Sequence, residues 1–116
     1  MPRGVEAMTA EVPGLLVSHP RDPRVQFIAG ALAMDNNQLD VAVTHLDRAL
    51  AETDIISLLD DPEDFTTRVR WVLAQVHERA GNLPLARAAV IPSCERGKRD
   101  RDDDIRAYFE RMCIAL

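Results

Sequence analysis

Between Asp22 and Leu50 two apolar stripes of helical period flank a polar break at Asp35-Asn36-Asn37, and a pair of antiparallel helices is the simplest chain path that satisfies both. Asp22 can accept a bond from a free N–H of the first turn, and Pro23 sits at the first helical position, where its missing donor costs nothing. Val25, Ile28, Ala29, Leu32 and Ala33 then recur at three- and four-residue intervals. Asparagine and aspartate favour turns over helix interiors, so the helix should end at residues 35–37. A second stripe follows, with Leu39, Ala42, Val43, Leu46, Ala49 and Leu50 on one side and Asp40, Thr44, Asp47 and Arg48 on the other. Gly30 is the most telling residue of this hairpin. A glycine inside a helix costs about 1 kcal/mol relative to alanine, which suggests a neighbouring helix so close that no side chain fits. Ala29, Ala33, Ala42 and Ala49 extend the same small-residue contact.

The pattern then returns. Asp61-Pro62-Glu63-Asp64 repeats the start signal, with carboxylates in the first turn that suit the helix dipole. Phe65, Val69, Val72, Leu73, Val76 and Ala80 form an apolar face up to Gly81-Asn82, and Leu83, Leu85, Ala86, Ala89 and Val90 continue it after the turn. Gly30 and Ala74, Asn37 and Gly81, Leu39 and Leu83, Ala42 and Ala86, and Leu46 and Val90 are each 44 residues apart. With a small residue at Gly30 followed by Ala42, Leu46 and Ala49, the unit resembles a tetratricopeptide repeat, although Gln26 and Ala33 stand where that family prefers an aromatic. The family period is about 34 residues, so the extra ten or so are expected in the Asp54 to Asp64 connection. The resemblance covers about Leu15 to Cys94. It would make Pro20 the closing proline of a preceding repeat, and the chain a piece of a longer protein.

The resemblance implies an all-α stack of antiparallel helix hairpins, about two repeats, whose first helices line a concave face that binds an extended or helical peptide. Positions turned away from the partner helix are Arg24, Phe27, Ala31 and Met34 in one repeat and Arg68, Trp71, Gln75 and Glu78 in the other. Phe27 and Trp71 share the 44-residue offset, as do Arg24 and Arg68, so the expected groove has apolar anchors flanked by cations. The competing expectation buries both aromatics against the connector or each other. The lysine and asparagine pattern with which some members clamp a terminal carboxylate is not evident. Repeats of this kind are also appended to larger bacterial proteins, including co-chaperones and membrane proteases, which implies an accessory or dimerisation role as the alternative.

Outside the hairpins, residues 1–13 are expected to be loosely ordered, with Pro13-Gly14 breaking any helix begun there, and residues 14–116 to form the helical domain. Gly14 to Ser18 should add a turn or two that lays Leu15, Leu16 and Val17 on the hairpin. Ile55 to Leu59 reads as a short connecting helix or an exposed docking element. Pro92 should end or kink the fourth long helix, leaving Ser93 to Asp104 as a polar connector. Ile105, Tyr108, Phe109, Met112 and Leu116 sit at helical spacing opposite Arg106, Glu110 and Arg111, the pattern of a terminal helix that caps the stack.

Only five aromatics contribute to an apolar fraction of 47%, so the interior must be built from Leu, Val, Ile and Ala, as in helix stacks. A net charge of −5 argues against a nucleic-acid partner. No apolar run approaches the roughly 20 residues that span a bilayer, and residues 1–10 lack the apolar core of a secretory signal. Two cysteines are too few for a disulfide framework and too far apart for a CxxC site. Cys94 and Cys113 could approach across the last hairpin and the cap, but two buried free thiols in a reduced cytoplasm are the expectation. Asp100, Asp102 and Asp104 have the alternate spacing of a calcium loop, yet Ile105 and Arg111 stand where glycine and glutamate belong, so an acidic helix start is expected instead. His19, His45 and His77 lie on different elements without metal-ligand spacing. Cys94 lacks the elbow and oxyanion residues of a nucleophile. The expected function is therefore non-catalytic recognition of a protein or peptide, without cofactor or metal, by a monomer or homodimer.

Overall fold

The computed structural model describes residues 11–114, which are all helical apart from turns and short connections. Residues 11–18 form α1, followed by α2 (Pro23–Asp35), α3 (Leu39–Ala51), the single turn α4 (Thr53–Ile56), α5 (Pro62–Arg79), α6 (Leu83–Val90), a 3₁₀ turn (Ile91–Ser93), α7 (Cys94–Gly97) and α8 (Asp103–Met112). α2 pairs with α3 and α5 with α6, α3 packs on α5 to join the two hairpins, and α7–α8 closes the far side of α5. This is an all-α stack of antiparallel hairpins with a C-terminal capping helix.

Each hairpin start is built as its sequence predicts. The Asp22 carboxylate accepts from Arg24 N at 2.9 Å and the Asp61 carboxylate from Asp64 N at 3.0 Å, each with proline next in line. The turns are more informative. After α2 the amides of Asn36, Asn37 and Gln38 donate to the carbonyls of Leu32, Met34 and Ala33; after α5 those of Ala80, Gly81 and Asn82 donate to Val76, Glu78 and His77. Every donor and acceptor of the second set lies 44 residues after its counterpart. Both sets close a Schellman motif, which needs one residue in the left-handed region. Asn37 (φ 58°) and Gly81 (φ 77°) fill that position, and they are the residue types that tolerate it best.

The small-residue contact forms where Gly30 predicts it. A Cβ on Gly30 would lie 2.6 Å from Leu46 Cγ and 3.3 Å from the Ala42 carbonyl oxygen, so α2 and α3 touch through bare backbone. Ala42, Leu46 and Ala49 are fully buried, as are their offset partners Ala86 and Val90, and Ser93 replaces Ala49 in a buried site. The core runs on through Val69, Val72, Leu73, Ala74 and Val76 of α5 to Ile105, Phe109 and Met112 of α8.

Several expectations are revised. Residues 11–18 are helical through Pro13-Gly14, so that pair does not break the helix, and residues 11–13 of the loose segment expected over 1–13 belong to α1; residues 1–10 lie outside the described residues. Val12 is buried and Leu15 and Leu16 half-buried, whereas Val17 points to solvent, because a 100° step turns it away from the face its neighbours share. The insertion between repeats is not all connection. α5 has 18 residues against 13 in α2, so five of the extra residues lengthen α5 at its start. Ser93 to Asp104 is in part helical, and Gly97 of α7 lies so close to the Phe109 ring that a Cβ would sit 2.1 Å from it. The cysteines are not free thiols: Cys94 and Cys113 are joined in a disulfide with Cα atoms 6.1 Å apart. Cys94 on α7 and Cys113 at the C-cap of α8 come into register because Gly97 lets the two short helices meet. Leu116, expected on the capping face, lies outside the described residues.

Candidate functional site

The face expected to recognise a partner is carried by α2 and α5, and the structure treats its two halves differently. On α2, Arg24 is exposed and folds back on Asp22, 3.2 Å away, so its charge is spent on its own helix cap. The same contact holds the Asp22 carboxyl below its usual range. Phe27 is half-buried and meets the Phe65 ring edge-on, with centroids 5.9 Å apart. Phe65 belongs to the five residues by which α5 outgrows α2, so the insertion supplies Phe27 with its neighbour. Ala31 is half-buried. Met34, placed on the groove by its helical position, is instead buried in the core, and its carbonyl accepts from Arg79 of α5 at 3.2 Å. The second hairpin covers the end of α2 and removes that position from solvent.

On α5, Trp71 is half-buried and packs against the core from its edge. Arg68 is paired with Asp64 at 3.1 Å, and Arg96 of α7 reaches the same carboxylate at 3.2 Å. Gln75 donates to the Trp71 carbonyl one turn back. Glu78 accepts from the Tyr108 hydroxyl at 2.8 Å and pairs with Arg111 at 3.2 Å, both from α8. Arg111 stacks 5.0 Å above the Tyr108 ring. The hydrogen bond from Arg111, then that from Tyr108, holds the Glu78 carboxyl below its usual range. Burial, reinforced by Glu78, pushes the Tyr108 phenol far above its usual range and keeps it protonated. Gln75, Glu78, Tyr108 and Arg111 therefore share one surface hollow, and the capping helix itself occupies part of the expected groove.

One polar device escaped sequence reasoning. Gln26, buried on α2, donates to the Pro20 carbonyl at 2.8 Å and contacts His45 Nδ1 at 2.7 Å through Oε1. Since Gln26 Nε2 is the donor to Pro20, Oε1 accepts, and Nδ1 of His45 carries the proton. Burial, with a lesser push from Arg48, lowers the imidazole's proton affinity. At the offset position Arg70 spans the second hairpin in the same way, donating to the Ala89 carbonyl at 3.1 Å. The pair Gln26 and Arg70 was legible only as two polar residues on an otherwise apolar stripe.

The exposed parts of this face are partly aromatic and edged with guanidinium groups. Comparison with protein-family models, with curated proteins and with solved structures finds no match.

Proposed function

We propose that the chain is a tetratricopeptide-like module that binds a protein or peptide segment on the α2–α5 face and catalyses no reaction. The observation that supports it is the 44-residue repetition of turn bonding and cross-hairpin polar bridges, with an aromatic at the same place in both hairpins. Repeated helix hairpins present extended surfaces, and binding energy on such surfaces concentrates in a few aromatic and arginine side chains. The anchors in this reading are Phe27 and Trp71, with Ala31 one turn after Phe27 and Arg68 and Gln75 on the rim; Arg24, Arg68 and Glu78 are also ion-paired within the chain. The partner is a protein or peptide rather than a nucleic acid, and the chain needs no cofactor for it. Among the described residues no helix is long and apolar enough to cross a membrane.

The test is capture from lysate with the wild-type chain and a Phe27→Ala/Trp71→Ala variant shown by circular dichroism to remain folded. Loss of captured partners in the variant is the expected result, and equal capture by both rejects the groove. A second reading, an accessory or dimerisation domain, is favoured by Leu58, which is 83% exposed beside the buried Ile56 of α4. Sedimentation at micromolar concentration separates the two, since a monomer removes the dimer. A cytoplasmic setting belongs to the first reading, and mass spectrometry of the Cys94–Cys113 pair in freshly quenched cells tests it, because such bonds persist mainly in oxidising compartments.

A further inference from the structure

A charged cleft lies where the start of α5 meets α7 and the connection to α8. Asp61, Asp64, Arg68, Arg96, Asp100 and Arg101 line a cleft of about 370 Å³. That is near the lower end of ligand pockets, roughly 300–1,000 Å³, and here the walls are charged rather than apolar. Most of the charge is internally matched. Arg96 lies 3.2 Å from Asp64 and 3.6 Å from Asp61, and Arg68 lies 3.1 Å from Asp64.

Two groups are left over. Asp100 is only 3% exposed, and its Oδ2 has no hydrogen-bond partner among the described residues. Arg101, next to it and exposed, takes part in no hydrogen bond or ion pair among them. The local structure needs only half of the Asp100 carboxylate: Oδ1 accepts from Asp102 N at 2.9 Å, and the Asp100 carbonyl accepts from Arg106 at 2.9 Å. An asparagine would hold that turn equally well, so the second oxygen and the charge are surplus to it. Leaving a buried acceptor unmatched is costly, and such groups are rare enough to point to an outside donor.

We infer that this cleft binds a small zwitterion of the α-amino-acid type, its ammonium on Asp100 Oδ2 and its carboxylate on Arg101. Three aspartates and three arginines make the cleft neutral, so a ligand with a single charge meets as much repulsion as attraction, whereas a dipolar one matches the two unpaired groups. Oδ2 is buried, so reaching it requires a cleft side chain to move, and Arg101 is an exposed lining residue with no hydrogen bond or ion pair among the described residues to hold it. Arg68 borders both this cleft and the α2–α5 face, but the inference rests on Asp100 and Arg101, which the peptide-binding reading does not use.

L-alanine is the probe, with ethylamine and propionate as its single-charge halves, titrated into the full chain and followed by ¹H–¹⁵N correlation spectra. Alanine should shift the amides of residues 100–102 with a millimolar Kd, and each half should bind about tenfold more weakly or worse. Asp100→Asn should weaken alanine by about tenfold or more, the scale of one charge-assisted hydrogen bond, while keeping or raising the melting temperature of the free protein. Arg101→Gln, which removes no hydrogen bond or ion pair among the described residues, should weaken alanine but not ethylamine. No shift at these amides, or unchanged alanine affinity in either folded variant, overturns the site. Ethylamine binding as tightly as alanine overturns the zwitterion.

Discussion

Gly30→Ala adds one methyl group at the point where α2 and α3 touch. On an open helix face this change stabilises by about 1 kcal/mol, because glycine loses more backbone entropy than alanine. Here the new Cβ would stand 2.6 Å from Leu46 Cγ and 2.8 Å from Leu46 Cδ2. Leu46 is fully buried in a close-packed core, and the Ala42 carbonyl oxygen at 3.3 Å crowds the same methyl from the backbone. Overpacking of a close-packed interior costs about 1–3 kcal/mol, so the net change should be a loss of about 1 kcal/mol, and Gly30→Leu should lose about 2 kcal/mol or more. For a domain near this size, 1 kcal/mol moves Tm by about 4 °C or more. The sharper measurement is a double-mutant cycle. Leu46→Ala alone should cost about 2–5 kcal/mol as a cavity mutation. The Gly30→Ala methyl would then enter the space that Leu46 left and turn from a loss of about 1 kcal/mol into a gain of about 1 kcal/mol, so the double variant should be more stable than the sum of the two losses by about 2 kcal/mol. Urea denaturation of the four proteins measures this directly. A Gly30→Ala protein that melts above wild type, or a cycle that closes additively, would refute the backbone contact between α2 and α3.

Two further predictions concern the cap. Reducing the Cys94–Cys113 bond, which spans 19 residues of sequence, should lower stability by about 3 kcal/mol from the freed loop entropy of the unfolded chain. Melting with and without reductant checks it, and identical curves would show that the bond contributes nothing to the fold. Tyr108 has a folded pKa raised above its ordinary value of 10, so its contribution is complete below pH 10 and is lost as pH rises beyond it. Stability of the wild type should therefore fall in the alkaline range more steeply than that of Tyr108→Phe, and parallel curves in pH-dependent denaturation would reject the Glu78 bond.

The hairpins were legible because their signals are local or strictly periodic. Asp22-Pro23 and Asp61-Pro62 announce helix starts through their own chemistry, and Asn37 and Gly81 mark turns because few other residues accept a positive φ. Gly30 was legible because a helix interior gives glycine no other use. What was missed depends on contacts between distant parts of the chain. Gly97 reads as a loop residue until Phe109 is seen against it, and only that approach brings the cysteines together. Met34 has the helical position of a groove residue, but whether such a position faces solvent is decided by the next hairpin. Of the five added residues of α5, Pro62, Glu63 and Asp64 read both as helix start and as the end of the connection, because an acidic, proline-led stretch satisfies both descriptions. Residues 11–18 show the same limit from the other side, since Pro13-Gly14 discourages a helix locally while burial of Val12 favours it.

The disulfide also changes what happens to the cap when the fold opens for a moment. α7 and α8 are short, and without a covalent link the separation of α8 from α5 would be limited only by the chain between them. With Cys94 tied to Cys113, α8 is held within a small closed ring whose other side is rooted in the 3₁₀ turn after α6, so a released α8 stays at a high effective concentration over Glu78. The exposed basic residues Lys98, Arg99 and Arg101 lie on that ring. A trypsin-like cut beside any of them opens the ring without freeing a fragment: the two pieces travel as one band on a gel until a reductant parts them, and the cap stays tethered to the stack after its backbone has been severed.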